Sequence, residues 1–145
     1  FPYTTLFRSQ LANVTLVDRV ADSELDALLS SADAWLIPYR KDVAGVSVPS
    51  RFYNLLAAGR PVILVSEPEA EAALTVSENG LGWVVTPGRP DQLADAVRLA
   101  SRSQDTGMAE RAVATARSFS PERALASYAA LVAELLSDRD VERTA

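Results

Sequence analysis

Val62-Ile63-Leu64-Val65 follows Gly59-Arg60-Pro61 and runs into Ser66-Glu67-Pro68. Four consecutive β-branched or aliphatic residues between these breakers read as a strand covered on both faces, the habit of parallel sheets. Working backwards, Gly59 supplies a left-handed helix stop and Pro49 suits a first helical turn. A short helix is therefore predicted between them, burying Phe52, Leu55 and Leu56. Ahead of it lies a loop holding Arg40, Lys41, Asp42 and Gly45, and ahead of that Ala34-Trp35-Leu36-Ile37 reads as a strand stopped by Pro38. Leu25, Leu28, Leu29 and Ala32 recur at i, i+3, i+4, i+7, which predicts an amphipathic helix with one buried stripe and with Asp22 and Ser23 as N-cap candidates. Val14-Thr15-Leu16-Val17 reads as a first strand.

Working forwards, Glu69 to Ser77 is expected to be helical, Asn79-Gly80 breaks it, and Gly82-Trp83-Val84-Val85 is the fourth strand. Pro87-Gly88 turns the chain, Pro90 opens a helix carrying Leu93, Val97 and Ala100, and another helix covers Met108 to Arg117. Ser120 and Pro121 look like N-cap and first residue of a last helix, whose apolar face is Leu125, Tyr128, Leu131, Val132, Leu135 and Leu136. Strands alternating with helical patterns predict an α/β fold, a parallel sheet with helices on its faces.

Composition narrows the chemistry. The 145 residues carry 14 Lys or Arg against 19 Asp or Glu, a net charge of −5, which argues against a nucleic-acid binder because phosphate neutralisation needs a basic face. Cysteine is absent, so disulfides, thiolate metal sites and thiol catalysis fall together. Histidine is absent too, which removes the commonest general base and metal ligand. No apolar run approaches the roughly 20 residues of a membrane-spanning helix.

The opening Phe1-Pro2-Tyr3-Thr4-Thr5-Leu6-Phe7-Arg8-Ser9 resembles the translation of a sequencing-library adapter, and no periodicity continues from it into Gln10 and beyond. Residues 1–9 are therefore set aside as foreign, and the natural protein is expected to extend upstream. Residues 10–137 are expected to form the domain, and the charge-alternating 138–145 a fraying tail.

A helix N-terminus presents unpaired N–H groups and the positive end of a dipole, and a preceding loop of small residues lets a phosphate approach the backbone. Gly45, Val46, Ser47 and Val48 supply such a loop, and Ser50, Arg51 and Asn54 project from one side of the next helix. A hydroxyl, a cation and an amide would then converge beside an anion site, at the crevice where the C-terminal ends of the strands open at Pro38 and Ser66. The bland alternative is the solvated face of an amphipathic helix. Tyr39 follows a strand and is either a nucleotide contact or a half-exposed tyrosine. Glu67 and Glu71 follow the next strand and either reach a sugar or ribose hydroxyl or are surface carboxylates.

The run from Gly45 to Ile63, with Pro49-Ser50-Arg51 before the helix and Ala57-Ala58-Gly59-Arg60-Pro61-Val62 after it, resembles the donor-binding segment of GT-B glycosyltransferases of the glycosyl transferases group 1, family 4. Flanking segments agree in order: Asn13 to Val17, Ser31-Ala32-Asp33 before its strand, Gly80 to Gly88, and Leu93-Ala94-Asp95-Ala96-Val97. The resemblance covers Asn13 to Leu136 and implies a Rossmann-like C-terminal half that holds a nucleotide sugar, facing an N-terminal domain that holds the acceptor. In that topology the strand order is 3-2-1-4-5-6. The strand at Val14 would be third in the chain, and the first two would be missing together with the Arg and Lys that come after the first.

By the same resemblance, Gly45, Val46, Ser47, Val48, Ser50, Arg51 and Asn54 bind the donor, and Arg51 stands where this branch carries a Lys. Many relatives place a Glu-x7-Glu pair across the loop and helix, its second Glu five residues before the helix-ending Gly; those positions are Val46 and Asn54 here, so both carboxylates are absent. The implied reaction is retaining hexosyl transfer from a UDP-, GDP- or similar sugar to a hydroxyl acceptor in polysaccharide or glycolipid synthesis, in the cytoplasm at the inner face of the cell membrane, with peripheral membrane association of the full protein. The nucleotide sugar is a substrate, and neither a cofactor nor a metal is implied. No catalytic residue is assigned, and the isolated chain is expected to be inactive. The alternatives are a sugar-nucleotide epimerase of the same fold and a non-catalytic α/β nucleotide-binding or interaction domain.

Overall fold

A computed structural model describes residues 12–15, 17, 19–42 and 50–144, with side chains through residue 136. Three four-residue strands, β1 (Trp35–Pro38), β2 (Val62–Val65) and β3 (Gly82–Val85), form a parallel sheet in that order. Trp35 pairs with Val62, and Val62 with Gly82, so the three C-terminal ends lie level at one mouth. The order is that of the last three strands in the expected topology. The fold is thus an α/β domain with a three-strand parallel sheet flanked by helices, consistent with the Rossmann-like half that the resemblance implies.

Alternation along each strand splits the core in two. Ile37, Val62 and Leu64 meet Phe52, Leu55 and Leu56 of α2 (Ser50–Ala57), Ala72, Ala73 and Val76 of α3 (Glu71–Asn79), and Ala112 of α5 (Met108–Ser118). On the opposite face, Ile63 and Val85 pack with Ala96 of α4 (Pro90–Arg102), flanked by Trp83 and Leu93. Leu36 of β1 points to that second face and is about half exposed, at 48%.

Two glycines are demanded by the backbone. Gly59 ends the turn after α2 at φ 67°, as expected of a helix stop. Gly82 opens β3 at φ 152°, where a Cβ would stand 1.9 Å from the Val62 carbonyl oxygen. Any side chain there would push β3 off β2.

Several expectations need correction. Val14, Thr15 and Val17 belong to no strand, and Leu16 lies outside the described residues. Val14, Thr15 and Val17 have no partner strand among the described residues and so gain no ladder hydrogen bonds there, and Val17 is 71% exposed. The helix after it starts as a 3-10 turn (Asp22–Glu24) and continues as α1 (Leu25–Ser31). Neither Asp22 nor Ser23 is its cap; the Ala21 N–H donates instead to the Glu24 carboxylate at 3.3 Å. The stripe on α1 is only half covered: Leu28 and Leu29 are partly buried and Leu25 is exposed. Trp35 ties α1 to the sheet, its Nε1–H donating to the Leu29 carbonyl at 3.0 Å.

Strand β1 includes Pro38, because the next N–H, of Tyr39, keeps the ladder by donating to the Val65 carbonyl at 2.9 Å. Helix α3 starts two residues later than expected, since Glu67 to Ala70 is a turn, closed by the Ala70 N–H on the Glu67 carbonyl. Pro68 sits where such a turn favours proline. The last helix, α6 (Pro121–Thr144), is capped at Ser120, whose Oγ accepts the Arg123 N–H at 3.3 Å. Its expected apolar face is present but uncovered: Leu125, Tyr128, Leu131, Val132, Leu135 and Leu136 are all exposed. The α6 backbone is helical through Thr144.

Candidate functional site

The mouth formed by the C-terminal ends of β1 and β2 collects most of the described candidate residues. Helix α2 follows β1, and its amphipathic spacing turns Phe52, Leu55 and Leu56 into the core while Ser50, Arg51 and Asn54 stay out of it, as the sequence predicts. Gly45, Val46, Ser47 and Val48 lie outside the described residues, as does Pro49.

Tyr39 leaves β1 at this mouth and packs its ring against the main core. Its hydroxyl is buried and has no hydrogen-bond partner among the described residues. Burial raises the phenol above its ordinary pKa, the neighbouring Tyr53 adds to that, and the Arg51 guanidinium pulls the other way. Tyr53 is raised by burial first and then by the Glu71 carboxylate. These mutual fields run from Tyr39 to Arg51 and Tyr53, and from Tyr53 to Glu71, so α2 and the first turn of α3 share one electrostatic neighbourhood. The Tyr53 ring also lies edge-on to Phe52 at 5.4 Å and tilted against Phe119 at 4.8 Å, which fixes this side of α2 against the end of α5.

Asn54 faces elsewhere. It lines a groove of about 470 Å³ between α1 and α2, together with Leu25, Asp26, Leu29, Ser30, Ala57 and Ala58. Glu67 accepts a hydrogen bond from the Asp42 N–H at 2.7 Å, and so spans the exits of β1 and β2. Sequence reasoning misses two of these participants. Tyr53 is hidden because an aromatic one residue from a core phenylalanine reads as packing. Asp42 stands at φ 64°, a left-handed conformation; its only signal is that aspartate tolerates this region better than most residues.

Chemically, an exposed guanidinium in the first turn of a helix, close enough to Tyr39 to act on its phenol, suits an anion that needs both charge and the N–H donors of a helix start. Among the described residues, no group of three Asp or Glu side chains is arranged to hold a metal ion, and no helix is long and apolar enough to cross a membrane.

The profile of the glycosyl transferases group 1 matches residues 3–102, a span that includes the mouth and every candidate residue named above. The chain belongs to this glycosyltransferase family. The match opens inside the run 1–9 that the sequence pattern sets aside. Over 85 residues the chain is 32% identical to a Pseudomonas aeruginosa protein named Probable glycosyltransferase WbjE, an alignment that takes in 59% of this chain and 21% of that protein. The chain therefore spans about a fifth of the length of the relative it matches. No solved structure matches the chain.

Proposed function

We propose that the mouth of β1 and β2 binds the diphosphate of a nucleotide sugar, UDP- or GDP-linked, and that the whole protein transfers the sugar with retention to a hydroxyl acceptor. Polysaccharide or glycolipid synthesis at the cytoplasmic face of the cell membrane is the setting this reading favours. Its single strongest support is Arg51, exposed in the first turn of α2 and electrostatically coupled to Tyr39, inside the segment that the family profile covers.

Leaving-group departure loads negative charge onto the diphosphate, and the role assigned to Arg51 and to the backbone N–H groups at the start of α2 is to stabilise that charge. Asn54 offers a neutral amide where many relatives have a carboxylate, so the ribose contact proposed for it is weaker than that of a charged acceptor. In the same reading Tyr39 is a contact to the nucleotide and Glu71 reaches a sugar or ribose hydroxyl. The acceptor is assigned to a separate domain, so the 145-residue chain alone should show no transfer in single-turnover assays with a panel of donors.

The test is calorimetric titration of UDP- and GDP-sugars onto the full gene product. Arg51→Ala should weaken binding roughly 10- to 100-fold, the scale of a charge-assisted hydrogen bond, with the melting temperature unchanged because the side chain is exposed. Arg51→Lys should recover much of the loss. Equal affinity in Arg51→Ala and wild type would reduce Arg51 to a solvated helix residue.

A further inference from the structure

Glu67 and Asp42 lie 25 residues apart and meet through one short bond, the Asp42 N–H donating to the Glu67 carboxylate at 2.7 Å. Both ends of that bond are held in ways that ordinary surface contacts are not. On the Glu67 side, the preceding Ser66 is buried and its N–H donates to the Val85 carbonyl at 2.9 Å. The Glu67 carbonyl accepts the Ala70 N–H at 3.1 Å, with Pro68 stiffening the turn between them. The carboxylate is thus carried on a short arm anchored to β2 and, through it, to β3.

On the other side, Asp42 stands at φ 64°, the only positive φ outside glycine among the described residues. That conformation is disfavoured for a residue with a Cβ, and a charge-assisted hydrogen bond to its own N–H is a force able to hold it. The turn so held carries Arg40 and Lys41, and Tyr39 pairs with Val65 just before it, at the end of the sheet where α2 presents Arg51.

We infer that Glu67 is a positioning residue of the donor site: it latches the Arg40–Asp42 turn to the end of β2, beside Tyr39 at the mouth. This role rests on the donor-binding reading proposed above, and it replaces a direct contact of Glu67 with sugar or ribose. The latch acts through geometry, so disturbing it from either end should have the same effect, whereas a direct contact is sensitive only at Glu67.

The experiment titrates UDP and GDP onto the full gene product by calorimetry and monitors exchange of the Asp42 amide proton by NMR. Glu67→Ala should speed Asp42 exchange about tenfold or more and weaken nucleotide binding about tenfold, the loss expected of a charge-assisted hydrogen bond. Glu67→Gln, which keeps an acceptor oxygen, should stay within about threefold of wild type in both. Asp42→Val leaves the Glu67 carboxylate in place but disfavours the left-handed turn, and should weaken binding as much as Glu67→Ala does. The double variant should bind no worse than either single one, the mark of two residues acting through one device. Thermal melting of each variant keeps loss of fold apart from loss of the latch. Weak binding in Glu67→Ala with full binding in Asp42→Val would overturn the latch in favour of direct contact. Full binding in both would remove Glu67 from the site, as would unchanged Asp42 exchange in Glu67→Ala. Wild-type protein that binds neither nucleotide would instead overturn the donor-binding reading itself, a result distinct from the others.

Discussion

Around β2 and β3 every strand face is covered, by α2, α3 and α5 on one side and by α4 on the other, and Val62 and Leu64 are fully buried. Around β1 the cover is one-sided: Ile37 is buried, Leu36 is half exposed, and α1 carries no buried residue. The two regions also use their charges differently. Behind β3, Arg111 donates to the Gly80 carbonyl at 2.8 Å and pairs with Asp105 at 2.6 Å, so a cation closes the C-terminal end of α3 and ties α5 to it. At the mouth of β1, Arg51 makes no ion pair among the described residues. The rear charge holds helices together, and the front charge stands open to solvent. Stability and surface chemistry are thus carried by opposite parts of one small sheet.

The contrast can be broken most directly in the rear core. Leu64→Ala should destabilise the domain by about 2–5 kcal/mol, because a fully buried leucine leaves a cavity in the layer between the sheet and helices α2, α3 and α5; chemical denaturation measures it. A loss under about 1 kcal/mol would mean that the core is looser than the burial implies.

Amide hydrogen exchange should draw the same line without mutation. Slow exchange is expected in β2 and β3, and fast exchange at Val14, Thr15 and Val17, which lie in no strand. Uniform protection across both regions would erase the distinction.

Arg111→Ala should lower the melting temperature by less than Leu64→Ala does, since both partners of its ion pair are 42% exposed. Its pH signature is more specific. The hydrogen bond from Arg111 holds the Asp105 carboxyl below its ordinary pKa. A carboxyl depressed by folding adds stability that is fully present above its unfolded pKa, about 3.9. That stability is lost as pH falls through the lower folded value. The melting temperatures of wild type and Arg111→Ala should therefore converge as the pH is taken below about 4.

Leu36→Ala should have the smallest effect, within about 0.5 kcal/mol, because the side chain is already half in solvent. A large loss would show that something covers the second face of β1.

What can be read from the sequence divides along the same line. The three strands and the helices between them follow from runs such as Val62 to Val65 and from punctuation by Gly59, Pro61, Gly80 and Pro90, where local preference and packing agree. Spacing alone places Arg51 and Ser50 on the exposed side of their helix. Sequence reasoning fails where a partner decides the outcome. Val14, Thr15 and Val17 have strand propensity but no described strand beside them, and the apolar face of α6 has the right period but nothing described packed on it. The link between Asp42 and Glu67 joins two loops, and no periodicity marks a contact across 25 residues.

The bond from the Trp35 indole to Leu29 has a practical consequence. The chain's two tryptophans sit one in each region, Trp35 on β1 and Trp83 on β3, and both are partly shielded. Replacing either with phenylalanine leaves a single emitter that reports on the other neighbourhood alone. Loss of α1 would release the Trp35 indole to water and shift its emission to the red, while Trp83, packed against the cluster of Ile63, Val85 and Ala96, would keep its colour until the rear core opened. Two melting curves at different midpoints would divide the molecule into a front that yields early and a back that yields late; a single midpoint would show that the two emitters belong to one cooperative unit.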